Sequence, residues 1–243
     1  ILADPLQIIS VFQVLLNTTE FFDPSTDSFA PGPNMLEPRA LHTSTAMNNG
    51  KVLVAGGLSL IPIVNLPNIS STAYAYDPNS GSFGFPTFFS GPRLMHSAIL
   101  QPDGSVLMAG GLTVDLTGFL SSGDPLSITI GSLDDIQRYT ATFFGGSFSG
   151  AGTMSESRAA AGMGLTSKGD VLIAGGLRVT LGASLTNLDF ALTAKSEVYT
   201  QGSGVMVTGS MANPRVFPVL VPLADGTTMI VGGGPVEAEV YQP

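Results

Sequence analysis

Four stretches decide the fold: Val52-Leu53-Val54-Ala55-Gly56-Gly57, Val106-Leu107-Met108-Ala109-Gly110-Gly111, Val171-Leu172-Ile173-Ala174-Gly175-Gly176 and Met229-Ile230-Val231-Gly232-Gly233. Each is an apolar run closed by a double glycine, and each follows an arginine: Arg39, Arg93, Arg158 and Arg215. The interval from arginine to first glycine is 17 residues in all four copies. A fixed interval repeated four times marks a repeat architecture, in which one supersecondary unit stacks on the next. An aromatic precedes each arginine, at Phe22, Tyr76, Tyr139 and Tyr199, and Tyr241 stands fifth. The distance from a glycine pair to the next aromatic is 19, 28, 23 and 8 residues, so the units differ mainly in that segment.

The parts of one unit read as strands. After the arginine comes a short run such as Ala40 to Met47, then a turn at Asn48-Asn49-Gly50, Pro102-Asp103-Gly104, Lys168-Gly169-Asp170 or Ala224-Asp225-Gly226. Glycine in these turns supplies the positive φ that a tight hairpin needs. The Val/Leu/Ile run that follows is too uniformly apolar to have a wet side, which predicts a strand sandwiched between two sheets. The double glycine ends it where the backbone angles or a close approach exclude a side chain. An aromatic strand, Ser71 to Tyr76, then turns at Asp77-Pro78-Asn79-Ser80-Gly81 into an outer strand with Phe83 and Phe85. Glu20 to Phe29 repeats this around Asp23-Pro24-Ser25-Thr26-Asp27. Four antiparallel strands per unit, and an all-β chain, are expected.

Composition agrees. The 243 residues include 30 glycines and 17 prolines, and charged residues make up 11%, less than half the usual ~25%. Disorder is excluded because disordered chains are charge-rich and apolar-poor, whereas hydrophobic residues here reach 44%. A net charge of −9 with nine scattered basic residues offers no patch for nucleic acid. The absence of cysteine removes disulfides, thiolate metal sites and thiol nucleophiles, and leaves the redox compartment open. The apolar opening, Ile1 to Leu16, is broken by Asp4 and Pro5 and is too short to span a membrane as a helix, which takes ~20 apolar residues. Two sequons, Asn17-Thr18-Thr19 and Asn68-Ile69-Ser70, suit a secretory route, so an extracellular or secreted location is expected, with a cytoplasmic one as the alternative.

The order Arg-x-x-His, turn, apolar strand, Gly-Gly, long loop, aromatic-Asp-Pro, turn, aromatic resembles the kelch repeat over nearly the whole chain. That resemblance implies a β-propeller of four-stranded antiparallel blades, akin to the galactose-oxidase-like propellers. There are departures: phenylalanine at Phe29 and Phe83 replaces the family's usual tryptophan, and Phe143-Phe144-Gly145-Gly146 lacks the Asp-Pro turn. The chain divides into a half blade over 1–36, repeats over about 37–90, 91–155 and 156–212, and a partial blade over 213–243. Two architectures follow: a segment of a larger propeller, or a ring of four or five blades closed by joining the N-terminal half blade to the C-terminal strands. The copper chemistry of galactose oxidase is not expected, because the family's Cys-Tyr crosslink needs a cysteine.

Candidate sites follow from the same frame. Arg39, Arg93, Arg158 and Arg215 lie at the starts of the inner strands, where guanidinium groups are able to bind carboxylates bidentately. The competing role is bracing, against Glu20, Glu197 or Glu239, which share one repeat position. His42 and His96 each stand three residues after an arginine; the matching positions elsewhere are Ala161 and Pro218, and two imidazoles fall short of the three protein ligands of catalytic zinc. No metal or other cofactor is expected, and the histidines read as structural. Asp115, Asp124, Asp134 and Asp135 read as a solvated acidic loop without calcium-ligand spacing. The variable loops Leu58–Leu66, Leu126–Ile130 and Leu177–Leu192, with the opening Leu6–Leu16, are apolar where connections are ordinarily polar. Their alternation suggests added strand, and Leu60, Ile61, Ile63, Ile128 and Ile130 are nominated as binding residues. The expected function is a non-enzymatic binding or assembly module with a protein partner or a second copy. The alternatives are a carbohydrate-binding or carbohydrate-acting propeller enzyme and a structural subunit of an extracellular assembly.

Overall fold

The computed structural model describes residues 15–61, 66–115, 123, 129–143, 145–181, 188–234 and 237–243. These form strands, turns and connections, and none of them forms a helix. The first unit pairs β3 (Thr43–Ala46), β4 (Val52–Ala55) and β7 (Thr72–Asp77), with a split outer strand, β8 (Ser82–Phe83) and β9 (Thr87–Phe88), both on β7. The second sheet runs β10 (Ser97–Leu100), β11 (Val106–Ala109), β14 (Asp135–Thr142), β15 (Gly145–Thr153). The third runs β16 (Gly162–Leu165), β17 (Val171–Ala174), β20 (Ser196–Thr200), β21 (Gly204–Val207). The fourth has three strands, β22 (Val219–Pro222), β23 (Thr228–Val231) and β24 (Glu239–Tyr241). Ahead of the first sheet lies the hairpin β1 (Glu20–Asp23) and β2 (Ser28–Pro31). Every pairing is antiparallel, as the repeat predicts.

The sheets stack face to face in chain order, and the apolar second strands are the layers of the stack. Side chains on a strand alternate between faces, and the core follows that alternation. Val106 and Met108 on β11 join Leu53, Ala55 and Phe89 in one cluster, whereas Leu107 and Ala109 join Val171, Ile173 and Met154 in the next. Leu172 and Ala174 face the other way, toward Leu220 and Ile230. Both faces of β11 and β17 are buried, which is why their sequence carries no polar alternation.

The fixed interval of 17 residues has an atomic meaning. Arg39, Arg93, Arg158 and Arg215 each donate from Nη1 to the carbonyl of the first glycine of their own sheet, at 2.7, 3.0, 3.2 and 2.9 Å. The second glycine then reaches forward: the N–H groups of Gly57, Gly111 and Gly176 donate to the carbonyls of Arg93, Arg158 and Arg215 at 2.8, 3.0 and 2.7 Å. Side chain and carbonyl of one arginine therefore clip two sheets together. No Cβ fits at this crossing: one placed on Gly175 would stand 2.5 Å from the Arg215 carbonyl oxygen, and φ there is +67°.

A second relay runs two residues after each arginine. Leu41, Met95, Ala160 and Phe217 all have φ between 52° and 56°, a left-handed conformation uncommon for such side chains. Their backbones link successive sheets, Met95 N–H to Leu41 O at 3.1 Å, Ala160 to Met95 at 2.7 Å and Phe217 to Ala160 at 2.7 Å. Four residues before each arginine stands a buried apolar side chain, Met35, Phe89, Met154 or Met211, and the last three belong to the clusters between sheets.

Candidate functional site

The arginine cluster is a set of enclosed clips. The four residues are exposed by only 4, 0, 1 and 0% in chain order. Arg158 Nη2 bonds Glu197 at 2.7 Å, with both side chains fully buried, and Arg215 Nε and Nη2 each bond Glu239 at 3.2 Å. Arg93 Nη2 reaches both oxygens of Asp135 at 3.0 and 2.7 Å, so Asp135 does not belong to the solvated acidic loop. Arg39 takes Glu37 at 2.9 Å and stacks on the Tyr74 ring at 4.9 Å, while Glu20 is exposed on β1. At the position of Glu197, the second sheet has Gln137 and the first Tyr74. Gln137 Oε1 accepts from the Ser90 N–H at 3.1 Å, as Glu197 Oε1 does from Ser155 at 2.7 Å. Burial lowers the pKa of Arg39 and Arg158, and their acidic partners offset part of it.

His96 is buried between the first two sheets, with Nε2 2.8 Å from Thr43 Oγ1. Burial, Arg93 and His42 push its pKa down to about 3, so the ring is neutral. His42 is half-buried, and burial followed by Arg39 lowers it too. The Nδ1 atoms of both rings lack a hydrogen-bond partner among the described residues.

The apolar loops after the glycine pairs are hairpins. Leu60 and Ile61 lie on β5 (Leu58–Ile61), which pairs with β6 (Leu66–Ile69). Ile130 lies half-buried on β13 (Thr129–Ser132), opposite Val114 on β12 (Leu112–Asp115). Ile63, Ile128 and Asp124 fall outside the described residues. The third unit supplies β18 (Leu177–Leu181) and β19 (Leu188–Leu192). Hairpins of the second and third units join edge to edge into one sheet, β12-β13-β18-β19, through Gly131 and Thr180. Ser132 Oγ accepts the Val179 N–H at 3.2 Å at the seam. Phe190 and Leu192, which sequence reasoning did not single out, are 59% and 51% exposed on the outer strand β19. Their two-residue spacing inside an apolar loop was the available signal.

A groove of about 240 Å³ lined by Lys168, Asp170, Met206 and Tyr241 lies at the hairpin-turn side of the third and fourth sheets, below the ~300–1,000 Å³ usual for ligand pockets. No helix among the described residues is long and apolar enough to cross a membrane.

No protein-family profile matches the sequence, and no curated protein matches it. Among solved structures, the chain is similar to a fungal alcohol oxidase of the AA5 family in complex with copper, with TM-score 0.62 and 19% identity over 94% of this chain and 47% of that one. It thus spans about half the length of that oxidase. YjhT aligns over 94% of this chain and 97% of its own at 11% identity and TM-score 0.44, a likeness too slight to argue from. At these identities the comparison shows the fold: all-β, with four-stranded antiparallel sheets like those of its propeller-like neighbour. The copper of the oxidase does not fit the residues described. They contain no group of three His, Cys, Asp or Glu able to hold a metal, the chain has no cysteine, and His96 Nε2 is engaged by Thr43.

Proposed function

We propose that the chain is a non-enzymatic assembly module. Rigid stacked sheets carry a second layer of inserted hairpins, and that layer binds a second copy of the chain. The edge of β19, which is unpaired among the described residues, carries the proposal. It ends a sheet already built by strand pairing between hairpins of different units, and it exposes Phe190 and Leu192. Sheet edges invite pairing unless proline, charge or a bulge blunts them. The hairpin of the first unit carries Pro67 in β6, whereas β19 has Asp189 as its single charge. Two copies of β19 running antiparallel satisfy both edges across a two-fold axis. Light scattering across a concentration series tests this. The 25.0 kDa chain is expected to approach twice its mass, and Phe190→Lys/Leu192→Lys to remain monomeric. Identical masses for both proteins would reject the proposal. A secreted location belongs to the same reading, and the exposed Asn68 of its sequon supports it.

A second reading, a carbohydrate-binding or carbohydrate-acting enzyme, draws support only from the fold shared with an enzyme, the fungal alcohol oxidase. Glycan-array binding with turnover on an intact preparation would advance it, and no sugar bound above background would dispose of it.

A further inference from the structure

The fourth sheet keeps the arginine-to-glycine clip of the third with three strands in place of four, yet on its far face the contacts that the third sheet makes are missing among the described residues. A Cβ on Gly175 would strike the Arg215 carbonyl, whereas one on Gly232 meets nothing within 4 Å. Gly176 N–H donates to Arg215 O; Gly233 N–H has no acceptor among the described residues. Ala160 O accepts from Phe217, and Phe217 O has no donor among them. Leu172 and Ala174 are fully buried, but their counterparts Met229 and Val231 are half-exposed. Phe217, Val219 and Val221 are 57, 59 and 37% exposed beside them.

We infer that this face is a docking surface for one further sheet of the same repeat, carried on polypeptide other than a second copy of this chain. The three interfaces between the four sheets define what it takes. The incoming strand presents an arginine carbonyl to Gly233 N–H and, two residues later, an N–H to Phe217 O. Four residues before that arginine it carries an apolar side chain over Gly232, as Met154 and Met211 lie over Gly110 and Gly175, each 3.1 Å from where a Cβ would stand.

A second copy offers the arginine carbonyl at Arg39 but is excluded by its own first hairpin. Residues 15–34 already fill the outer half of the slot ahead of the first sheet. Arg39 N–H bonds Leu16 O at 3.1 Å and Met35 N–H bonds Asn17 O at 2.7 Å, matching Arg93 to Ser70 and Phe89 to Ser71. Phe21 stacks on Tyr76 at 5.9 Å. In the repeat, β1 and β24 are the same third strand, bearing Phe22 and Tyr241. Placing the fourth sheet of one copy ahead of the first sheet of another would put β24 where β1 runs. The same duplication prevents the two ends of one chain from completing a single sheet, so the compact ring is not the closure that this geometry favours. Residues 1–14 contain neither arginine nor glycine and do not carry the complementary pattern.

The test uses amide exchange by NMR on residues 1–243 and on the same chain extended after Pro243 by a duplicate of residues 202–241. The duplicate continues the register set by Tyr199 and Tyr241, and supplies an outer strand for the fourth sheet plus a fifth, three-stranded sheet. In the original chain, Gly57, Gly111 and Gly176 amides are expected to be protected and Gly233 to exchange freely. In the extended chain Gly233 exchange is expected to slow at least tenfold, roughly, as its edge becomes covered. Gly232→Val in the extended chain is expected to restore free exchange at Gly233 while Gly57 and Gly111 remain protected. Free exchange at Gly233 in the extended chain would overturn the inference. So would protection already present in the original chain, whether independent of concentration, from residues 1–14, or rising with it, from a second copy.

Discussion

Replacing Arg158 by methionine removes a guanidinium that ties three strands of one sheet. Its Nη1 donates to Gly175 O at 3.2 Å and Lys195 O at 3.0 Å, and its Nη2 to Glu197 at 2.7 Å. Methionine keeps most of the aliphatic stem, so lost volume is a minor part of the cost. The larger part is Glu197, whose side chain is fully buried and would be left charged without its partner. Removing one member of a buried ion pair costs ~3–5 kcal/mol, a large share of the ~5–15 kcal/mol that holds a native domain. At ~2–4 °C per kcal/mol for a chain of this size, the melting temperature is expected to fall by roughly 6–20 °C. Arg158→Met/Glu197→Met removes the stranded charge as well. It leaves the Ser155 N–H, now bonded to Glu197 at 2.7 Å, without an acceptor, a cost of about 1–3 kcal/mol. The double variant is therefore expected to be more stable than Arg158→Met alone. Urea denaturation at pH 7 with the m-value monitored measures both. A loss under about 1 kcal/mol for the single variant, or a double variant less stable than the single, would refute the bracing argument and return the arginines to ligand binding.

Three further outcomes follow from the same geometry. Gly175→Ala and Gly232→Ala share the strain of a positive φ, at +67° and +73°, but only the first drives a Cβ to 2.5 Å from a carbonyl oxygen. It is expected to cost at least about 2 kcal/mol more, within the range of overpacking, and equal urea midpoints would contradict the packing of the glycine pair. His96 has a folded-state pKa of about 3 against an ordinary 6.5, so the unfolded chain takes its proton first. Its stabilisation is complete above pH 6.5 and falls on acidification by ~1.4 kcal/mol per pH unit, about 2 kcal/mol by pH 5. His96→Gln is expected to flatten that slope, and an imidazole carbon shift that titrates near pH 6.5 would refute it. Lys51→Met frees Asp77, whose carboxyl is held low by Lys51 and the Asn79 N–H. Because that pair is half-exposed, water screens it; Lys51→Met is expected to lower the thermal midpoint by much less than Arg158→Met does, and an equal fall would contradict that reading.

Much of the fold was legible because the repeat keeps its chemistry in phase. The interval of 17 residues marked each arginine and glycine pair as parts of one unit, though not the guanidinium-to-carbonyl bond between them, and uniform apolar runs such as Val171–Ala174 announced strands buried on both faces. The relay of Leu41, Met95, Ala160 and Phe217 was not legible. Left-handed backbone is ordinarily signalled by glycine or asparagine, and here packing from two sides imposes it on residues with no such preference. The carboxylate partners were partly legible. Glu197 and Glu239 stand at one repeat position, but the second unit moves its acid to Asp135 and the first to Glu37, and only three-dimensional proximity connects those to Arg93 and Arg39. The union of two inserted hairpins into one sheet was hidden for the same reason, since β13 and β18 belong to different units and meet through a single residue pair.

The chain contains no cysteine, so one introduced thiol reports contact between copies without background. Asp189→Cys, Phe190→Cys and Ala191→Cys, each oxidised at moderate concentration, are expected to give a disulfide-linked dimer for at least one position, because antiparallel β19 strands bring facing Cβ atoms to ~4.5–5.5 Å. Leu60→Cys on β5 and Ser25→Cys on the first hairpin are expected to remain monomeric on non-reducing gels. Dimers at all five positions, or at none of the β19 positions, would contradict assembly through that edge.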